Sequence, residues 1–448
     1  MGMTSAELPP ISAIAVEGYK SVRERQEIEI RPLTLLAGAN SSGKSSMMQP
    51  LLLLKQTLEA PYDPGPLLLD GPNMRATTTD QLLACAPGGP SAERFSVALR
   101  RGSVGVELAF GKRKDAGFDI LSMAFADGMG HDFEVSPDAT DAQIRKILDC
   151  SAWHVRRAVH KEKVIEAEWA IHRDKCFLRF LLREAVAYPN WGVLETPVGP
   201  SAGSLFGPAI ENVTHLPGLR GSPERTYGRT GIGPKYPGTF DHYVASVIYH
   251  WGAKDRGRLT ELGALLEELG LTWKVTAKPV DDTQVELRVG RLPHARRGGA
   301  RDLVNIADVG FGVSQSLPVL VALLAARPGQ LVYLEQPEIH LHPRAQRKMA
   351  GILAAAARRG VIVVAETHSS LVVREIQTLV ARGELDSKLV KLHWFTRSET
   401  DGTTAITSRD LDENGAYGDW PEDFDDVALA SERAYLDAVE ARGEGVGG

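Results

Sequence analysis

The sequence predicts an α/β nucleotide-binding fold, and three apolar runs carry that expectation. Leu33–Ala37 (LTLLA) leads at once into GANSSGKSS and then MMQPLLLLKQTL. Leu331–Leu334 ends at Glu335, and Val361–Ala365 (VIVVA) runs into Glu366-Thr367-His368-Ser369-Ser370. Short aliphatic runs bounded by polar or turn-forming residues read as buried parallel strands.

The first run is followed by Gly38-x-x-x-x-Gly43-Lys44-Ser45, the spacing of a phosphate-binding P-loop, with strand and helix on the required sides. Glycines let successive N–H groups curl around an anion, and the helix N-terminus adds partial positive charge. Gly38, Asn40, Ser41, Ser42, Gly43, Lys44, Ser45 and Ser46 are therefore the candidate ATP-binding residues. Lys44 is suited to the β and γ phosphates, and the Ser45 hydroxyl to Mg²⁺. Pro50 is awkward in the helix that follows, because an interior proline removes a hydrogen bond.

Glu335 ends the second strand, where a carboxylate helps hold Mg²⁺. His368 ends the third, on the sheet rim where open α/β folds bind ligands, and is placed to contact a γ-phosphate. Ser369 or Ser370 caps the pattern LVVREIQTLVARG, which stops at Gly383. In ADVGFGVSQSLP, Gly310, Gly312 and Ser314 precede an apolar helix with Pro318 expected near its first turn. A second anion-binding helix start in one chain suggests a nucleotide held by a partner subunit.

Composition bounds the class. The 448 residues suggest two to four lobes, and 43% apolar with 24% charged residues excludes a mostly disordered, fibrous or membrane-spanning chain. A net charge of −6 excludes a histone-like DNA coat but leaves a local basic groove open. Cys85, Cys150 and Cys176 share no spacing that reads as a disulfide framework or zinc ribbon. Val309–Ala326 is interrupted by glycines, polar residues and Pro318, too short an apolar run to span a bilayer. No targeting segment is visible in the first twelve residues, and a cytoplasmic location is expected.

Lys44 and Glu335 are far apart in the chain, so the expected organisation is 1–85 with the P-loop, an insertion over 86–302, and 303–448. RFSVALRRG, SVGVELAFG and FDILSMAFADG alternate with period two and predict hairpins. Asp141–Val186 is dense in Arg, Lys and His interleaved with acids, which predicts a solvated helix. Gly218–Gly238, with Arg220, Arg225, Arg229 and Lys235, reads as loop. A helix over Leu259–Leu269 and a hairpin over Thr272–Gly290 lead to a basic patch of His294, Arg296, Arg297 and Arg301. His242 and His250 lack metal-ligand spacing. His340 and His342 in HLHP could suggest a metal but have no readable cysteine or carboxylate set around them, so all four are read as structural.

GANSSGKSS, DVGFGVSQSLP, YLEQPEIHLHP and AETHSS, in that order, resemble the ABC-type AAA ATPases of the RecF, SMC and OLD group. THLPGLRGSPERTY and LDENGAYGDWPEDFDD are similar to a stand-alone bacterial subfamily with a C-terminal domain of unknown function. The resemblance covers about 1–60 and 300–426, with patches in 200–290. It implies a P-loop ABC-type head with a mixed α+β insertion and no long coiled coil. Gly310, Gly312, Ser314 and Gln315 would then be the signature loop closing on ATP held by a second protomer. A homodimer or higher oligomer with composite ATP sites follows. Lys20 would approach the same nucleotide, and Gln49, Gln56 and Gln81 compete for the glutamine-loop position.

One departure concerns catalysis. Relatives follow the Walker B acid with a second acid, whereas Gln336 stands here. Glutamine orients water but cannot take its proton. Either Glu338 or Glu366 serves instead, or hydrolysis is slow, which is the expectation. Asp410/Asp412 and Asp423/Asp425 invite comparison with the nuclease domain of OLD proteins, but too little chain follows Ser370 for another packed domain. Trp420 and Phe424 are expected to dock the acidic tail on the core. The expected role is an ATPase sensor or regulatory subunit in prokaryotic anti-phage defence, with a separately encoded effector and no membrane contact. A RecF-like DNA-binding ATPase and an ATP-bound scaffold are the alternatives, so nucleic acid is a possible partner.

Overall fold

The computed structural model describes residues 8–85, 89–128, 130, 132–150, 164–187, 191–198, 201–294 and 302–418. Its strands are β1 (Ala13–Glu17), β2 (Gln26–Glu29), β3 (Leu33–Gly38), β4 (Arg94–Arg101), β5 (Val104–Lys112), β6 (Phe118–Ala126), β7 (Phe133–Val135), β8 (Val164–Asp174), β9 (Phe177–Ala187), β10 (Trp191–Val198), β11 (Thr214–Leu216), β12 (Tyr227–Gly228), β13 (Val275–Pro279), β14 (Gln284–Gly290), β15 (Leu303–Asn305), β16 (Leu331–Glu335), β17 (Ile362–Thr367), β18 (Val390–Arg397) and β19 (Thr404–Arg409). The helices are α1 (Lys44–Glu59), α2 (Asp141–Cys150), α3 (Ala202–Glu211), α4 (Val244–Lys254), α5 (Arg256–Glu268), α6 (Phe311–Ala325), α7 (Pro343–Arg358) and α8 (Ser370–Ala381).

The central sheet has the order β11-β16-β17-β3-β18-β19, parallel except for β19. Every residue of β3 is buried, because layers cover both faces. Alternate residues serve different layers. Leu33, Leu35, Val332, Leu334, Val363 and Ala365 pack with α4–α8, whereas Leu36, Tyr333 and Val364 pack with the Met47–Leu54 run of α1. An antiparallel sheet, β2-β1-β4-β5-β6-β7, covers the other side of α1. Thus α1 is buried nearly all round, which explains its leucine run. The P-loop and acid strands flank β17, so β3 and β16 are not neighbours.

Both divisions expected in the chain are crossed by hydrogen-bonded sheets. β4–β6, predicted as insertion hairpins, extend the sheet that β1 and β2 begin, and β11 is an edge strand of the central sheet. β14 pairs with β15 across the second division. The expected helix over Asp141–Val186 is corrected: among the described residues of that stretch only α2 is helical, and β8 and β9 form a hairpin. Exposed Glu168, His172 and Asp174 alternate there with half-buried Trp169 and Ile171, a period of two that charge density obscures. Lys175, at the hairpin turn, donates to the Leu58 and Ala60 carbonyls at 2.6 and 2.7 Å. This cation caps the C-terminal end of α1. Arg156, Arg157, Lys161 and Lys163 lie outside the described residues.

Other expectations divide similarly. The helix and hairpin before residue 294 appear as α5 and β13–β14. Pro318 is corrected from a first-turn position to the interior of α6, because the helix starts directly after Gly310. His342 caps α7 by accepting from the Arg344 N–H at 3.4 Å, and Pro343 occupies the first helical position. Among the described residues no cluster of His, Cys, Asp or Glu could hold a metal ion by itself. None of the described helices is long and apolar enough to cross a membrane. Asp410 pairs with Lys391 and Arg31, while Arg296, Arg297, Arg301, Trp420, Asp423, Phe424 and Asp425 lie outside the described residues.

Candidate functional site

The P-loop is shaped by two backbone positions that reject side chains. Gly38 has φ +146° and Gly43 has φ +99°. A Cβ on Gly43 would meet Thr404 Oγ1 at 2.1 Å and Ser21 Oγ at 2.8 Å, so the loop is pressed against β19 and the β1–β2 turn. A cleft of about 820 Å³ opens over Asn40, Ser41, Ser42, Gly43, Lys44, Ser45 and Ser46. Gln336, Glu366 and His368 border it from the sheet. Such a backbone cradle at a helix start fits a polyphosphate.

Lys44 is buried and folded back on the loop. It donates to the Gly38 and Ala39 carbonyls at 3.1 and 2.7 Å. Burial lowers its pKa to about 8, against the opposing pull of Glu366 and Glu338. His368 Nδ1 lies 2.8 Å from the Gly38 carbonyl, which fixes the hydrogen on that nitrogen. Burial, and then the Lys44 charge, lower the His368 pKa.

The acids separate into three environments. Ser45 Oγ donates to Glu366 Oε2 at 2.9 Å, and the Tyr333 hydroxyl donates to Glu366 Oε1. Burial first and Glu335 second raise the Glu366 pKa to about 7. Glu335 faces elsewhere: its oxygens take His215 Nε2 and the Gly218 N–H, both at 3.0 Å. Burial works against its charge, but His215, Gly218 and Arg220 outweigh it and its pKa is lowered. Glu338 does not border the cleft. Its Oε1 accepts from Thr367 Oγ1 at 2.7 Å and the His368 N–H at 3.1 Å, which anchors the His368 turn, and burial raises its pKa. Gln336 has φ +46°, and its N–H donates to the Glu366 carbonyl at 3.0 Å.

Lys20 borders the cleft and donates to Gln49 at 2.6 Å. Gln56 is spent on the Leu68 carbonyl and the Asn73 and Met74 N–H groups. Of the three competing glutamines Gln81 borders the cleft, with its own amide bonded to the Thr77 N–H and hydroxyl. Three partners went unassigned from sequence. Tyr333 is hidden in an aliphatic strand, although a buried phenol needs a partner. His215 is hidden in a three-residue strand, and Arg397 reaches the cleft from the far end of β18.

Gly310, Gly312, Ser314 and Gln315 do not border this cleft. Gly310 caps α6, and Ser314 Oγ donates to the Phe311 carbonyl at 3.1 Å. Gln315, expected to face nucleotide, is buried and donates to the Arg220 and Gly221 carbonyls at 2.8 and 3.2 Å. The inward turn follows from its helix phase, one residue past Ser314.

Residues 221–374, which hold α6, β16, β17 and His368, match the family described as "AAA domain, putative AbiEii toxin, Type IV TA system". That segment lies within an α/β fold whose central strand β3 leads into a P-loop. No curated protein sequence matches this chain. Among solved structures it is similar to an Smc head bound to the C-winged helix domain of ScpA, at 13% identity, over 90% of this chain and 99% of that one, with a TM-score of 0.45. The Pyrococcus furiosus Smc head bound to the C-terminal domain of ScpA is 11% identical, over 97% and 100% of the two chains, with a TM-score of 0.43. The Thermotoga maritima SMC head is 10% identical, over 89% and 98%, with a TM-score of 0.35.

Proposed function

We propose that this ATPase binds ATP–Mg²⁺ in the Gly38–Ser46 cradle, hydrolyses it slowly, and uses ATP-gated pairing of two copies as a switch. One observation carries the reading. Lys44, Ser45 and His368 gather on one cleft, while Gly310, Gly312 and Ser314 stand outside it at an exposed helix start. An α6 start that serves no nucleotide of its own chain suits one held by a second copy. Bound Mg²⁺ would neutralise charge developing on the transferred phosphoryl group. Lys44 supplies the phosphate cation, Ser45 a metal-facing hydroxyl and Gln336 a group that orients water without deprotonating it.

The biological setting we propose is a sensor or regulatory subunit of a prokaryotic defence system, acting through a separately encoded effector. The family description, which names a toxin–antitoxin context, supports it. The test is the mass of the purified protein with and without ATP–Mg²⁺, with phosphate release recorded alongside and Lys44→Ala as control. ATP-dependent dimers and Lys44-dependent turnover below about 10 s⁻¹, the median enzyme rate, are expected. An oligomer indifferent to ATP would overturn the switch.

A further inference from the structure

Glu335 and Glu366 end adjacent parallel strands at paired register positions. Glu335 shares the α1-facing parity of Tyr333, and Glu366 that of Val364, so both carboxylates leave the same face of the sheet. Only one of them meets the P-loop. Glu366 borders the cleft with its Oε2 on Ser45 Oγ, whereas both oxygens of Glu335 are taken by His215 and the Gly218 N–H. His215 is itself held, stacked on Tyr333 with ring centroids 5.3 Å apart and with Nδ1 3.2 Å from Asn73 Oδ1.

From this geometry we propose that Glu366, not the motif acid Glu335, is the carboxylate that shares Mg²⁺ with the Ser45 hydroxyl, and that His215 holds Glu335 aside as a positioning group. The inference rests on the ATP reading above. Two observations support it. Mg²⁺ takes oxygen ligands in a near-regular octahedron with bonds of about 2.0–2.1 Å, so neighbouring ligand oxygens stand about 2.9 Å apart. Ser45 Oγ and Glu366 Oε2 are already 2.9 Å apart. The second observation is charge. Glu366 is 3% exposed, and its two donors, Ser45 and Tyr333, are neutral hydroxyls. Lys44 acts on it through space, but the Lys44 ammonium is bonded to the Gly38 and Ala39 carbonyls and not to the carboxylate. A buried carboxylate of this kind is stabilised by a cation. Glu335, by contrast, already has an imidazole, a backbone donor and the nearby Arg220.

The test compares full-length wild type with Glu366→Gln and Glu335→Gln, each of which keeps the size of the side chain while removing its charge and turning one acceptor oxygen into an amide donor. Binding of a fluorescent non-hydrolysable ATP analogue is measured first without metal. Mn²⁺ retention by the analogue-bound protein is then followed by the loss of the free Mn²⁺ resonance signal. Glu366→Gln is expected to weaken Mn²⁺ retention at least tenfold with metal-free analogue affinity unchanged, and Glu335→Gln less than threefold. A tenfold loss in Glu335→Gln, or wild-type retention in Glu366→Gln, overturns the assignment. Should Glu366→Gln fail to fold, Glu366→Asp, which draws the carboxylate back by one methylene, decides in the same way: reduced Mn²⁺ retention supports the assignment and full retention overturns it. Absence of analogue binding by wild type overturns the ATP reading itself, and is distinguished because it precedes any metal.

Discussion

Arg220 and Gln315 hold one another through their backbone oxygens. Arg220 Nη1 donates to the Gln315 carbonyl at 2.9 Å, and Gln315 Nε2 donates to the Arg220 carbonyl at 2.8 Å. The same guanidinium reaches the Glu335 carbonyl at 2.7 Å and the Pro217 carbonyl at 3.0 Å. Burial lowers the Arg220 pKa to about 10, which leaves it charged at neutral pH. The start of α6 and the end of β16 are therefore fastened by one buried cation.

Arg220→Ala strips the donor from four carbonyls, those of Pro217, Gln315, Glu335 and Gln336. A buried acceptor left unsatisfied costs about 1–3 kcal/mol, so a loss of at least about 3 kcal/mol is expected in chemical denaturation. Arg220→Lys recovers only part, because an ammonium lacks the planar fork. A loss below about 1 kcal/mol would show that water replaces the guanidinium.

Gln336→Glu places a proton acceptor beside the cleft. If the missing base limits the rate, turnover rises at least about tenfold, within the range general bases contribute. The measurement is single-turnover phosphate release. An unchanged rate would mean that another carboxylate already activates water.

Gly43→Ala sets a side chain at φ +99° against Thr404 Oγ1. A left-handed backbone alone costs about 1–2 kcal/mol, so nucleotide binding should be lost and stability should fall by about 2 kcal/mol or more. Gly351→Ala is the control. It lies inside α7 with no atom near the added methyl, and should stabilise by up to about 1 kcal/mol. Equal effects of the two substitutions on thermal melting would remove the strain argument.

His393 gives the acid limb of stability. It is buried in β18, with Nε2 donating to the Glu29 carbonyl at 2.8 Å and Nδ1 2.7 Å from Ser408 Oγ. Burial, against the pull of the Glu29 carbonyl, lowers its pKa to about 4. The unfolded chain, with a His pKa near 6.5, binds the extra proton between those values. Stability from the neutral imidazole is thus fully present above about pH 6.5 and is lost as pH falls toward 4, by roughly 2–4 kcal/mol. His393→Gln should flatten the unfolding free energy over that window. A slope unchanged from wild type would place the acid sensitivity elsewhere.

Much of the site was legible in the chain because its parts are local. The P-loop joins one strand to the next helix within eight positions, and Ser369 caps α8 three residues before the Val372 N–H it accepts from. Strand ends, glycine positions and helix caps depend on neighbours in sequence, so spacing and residue type suffice. The Asp141–Val186 stretch failed for the opposite reason. Its charges are spread at both strand and helix spacing, and pairing with a second strand decides between them.

The sequence alone placed a P-loop turn over Gly38–Ser46 between a buried strand and α1, and set Glu335, Glu366 and His368 at the C-terminal ends of parallel strands. Only the tertiary structure decided which acid faces Ser45, that His215 engages Glu335, and that Gln315 turns inward to Arg220. The physical reason is that a strand end sets which face a carboxylate leaves from. Its partner is set by side chains that distant segments bring across the sheet, and no local spacing encodes that meeting.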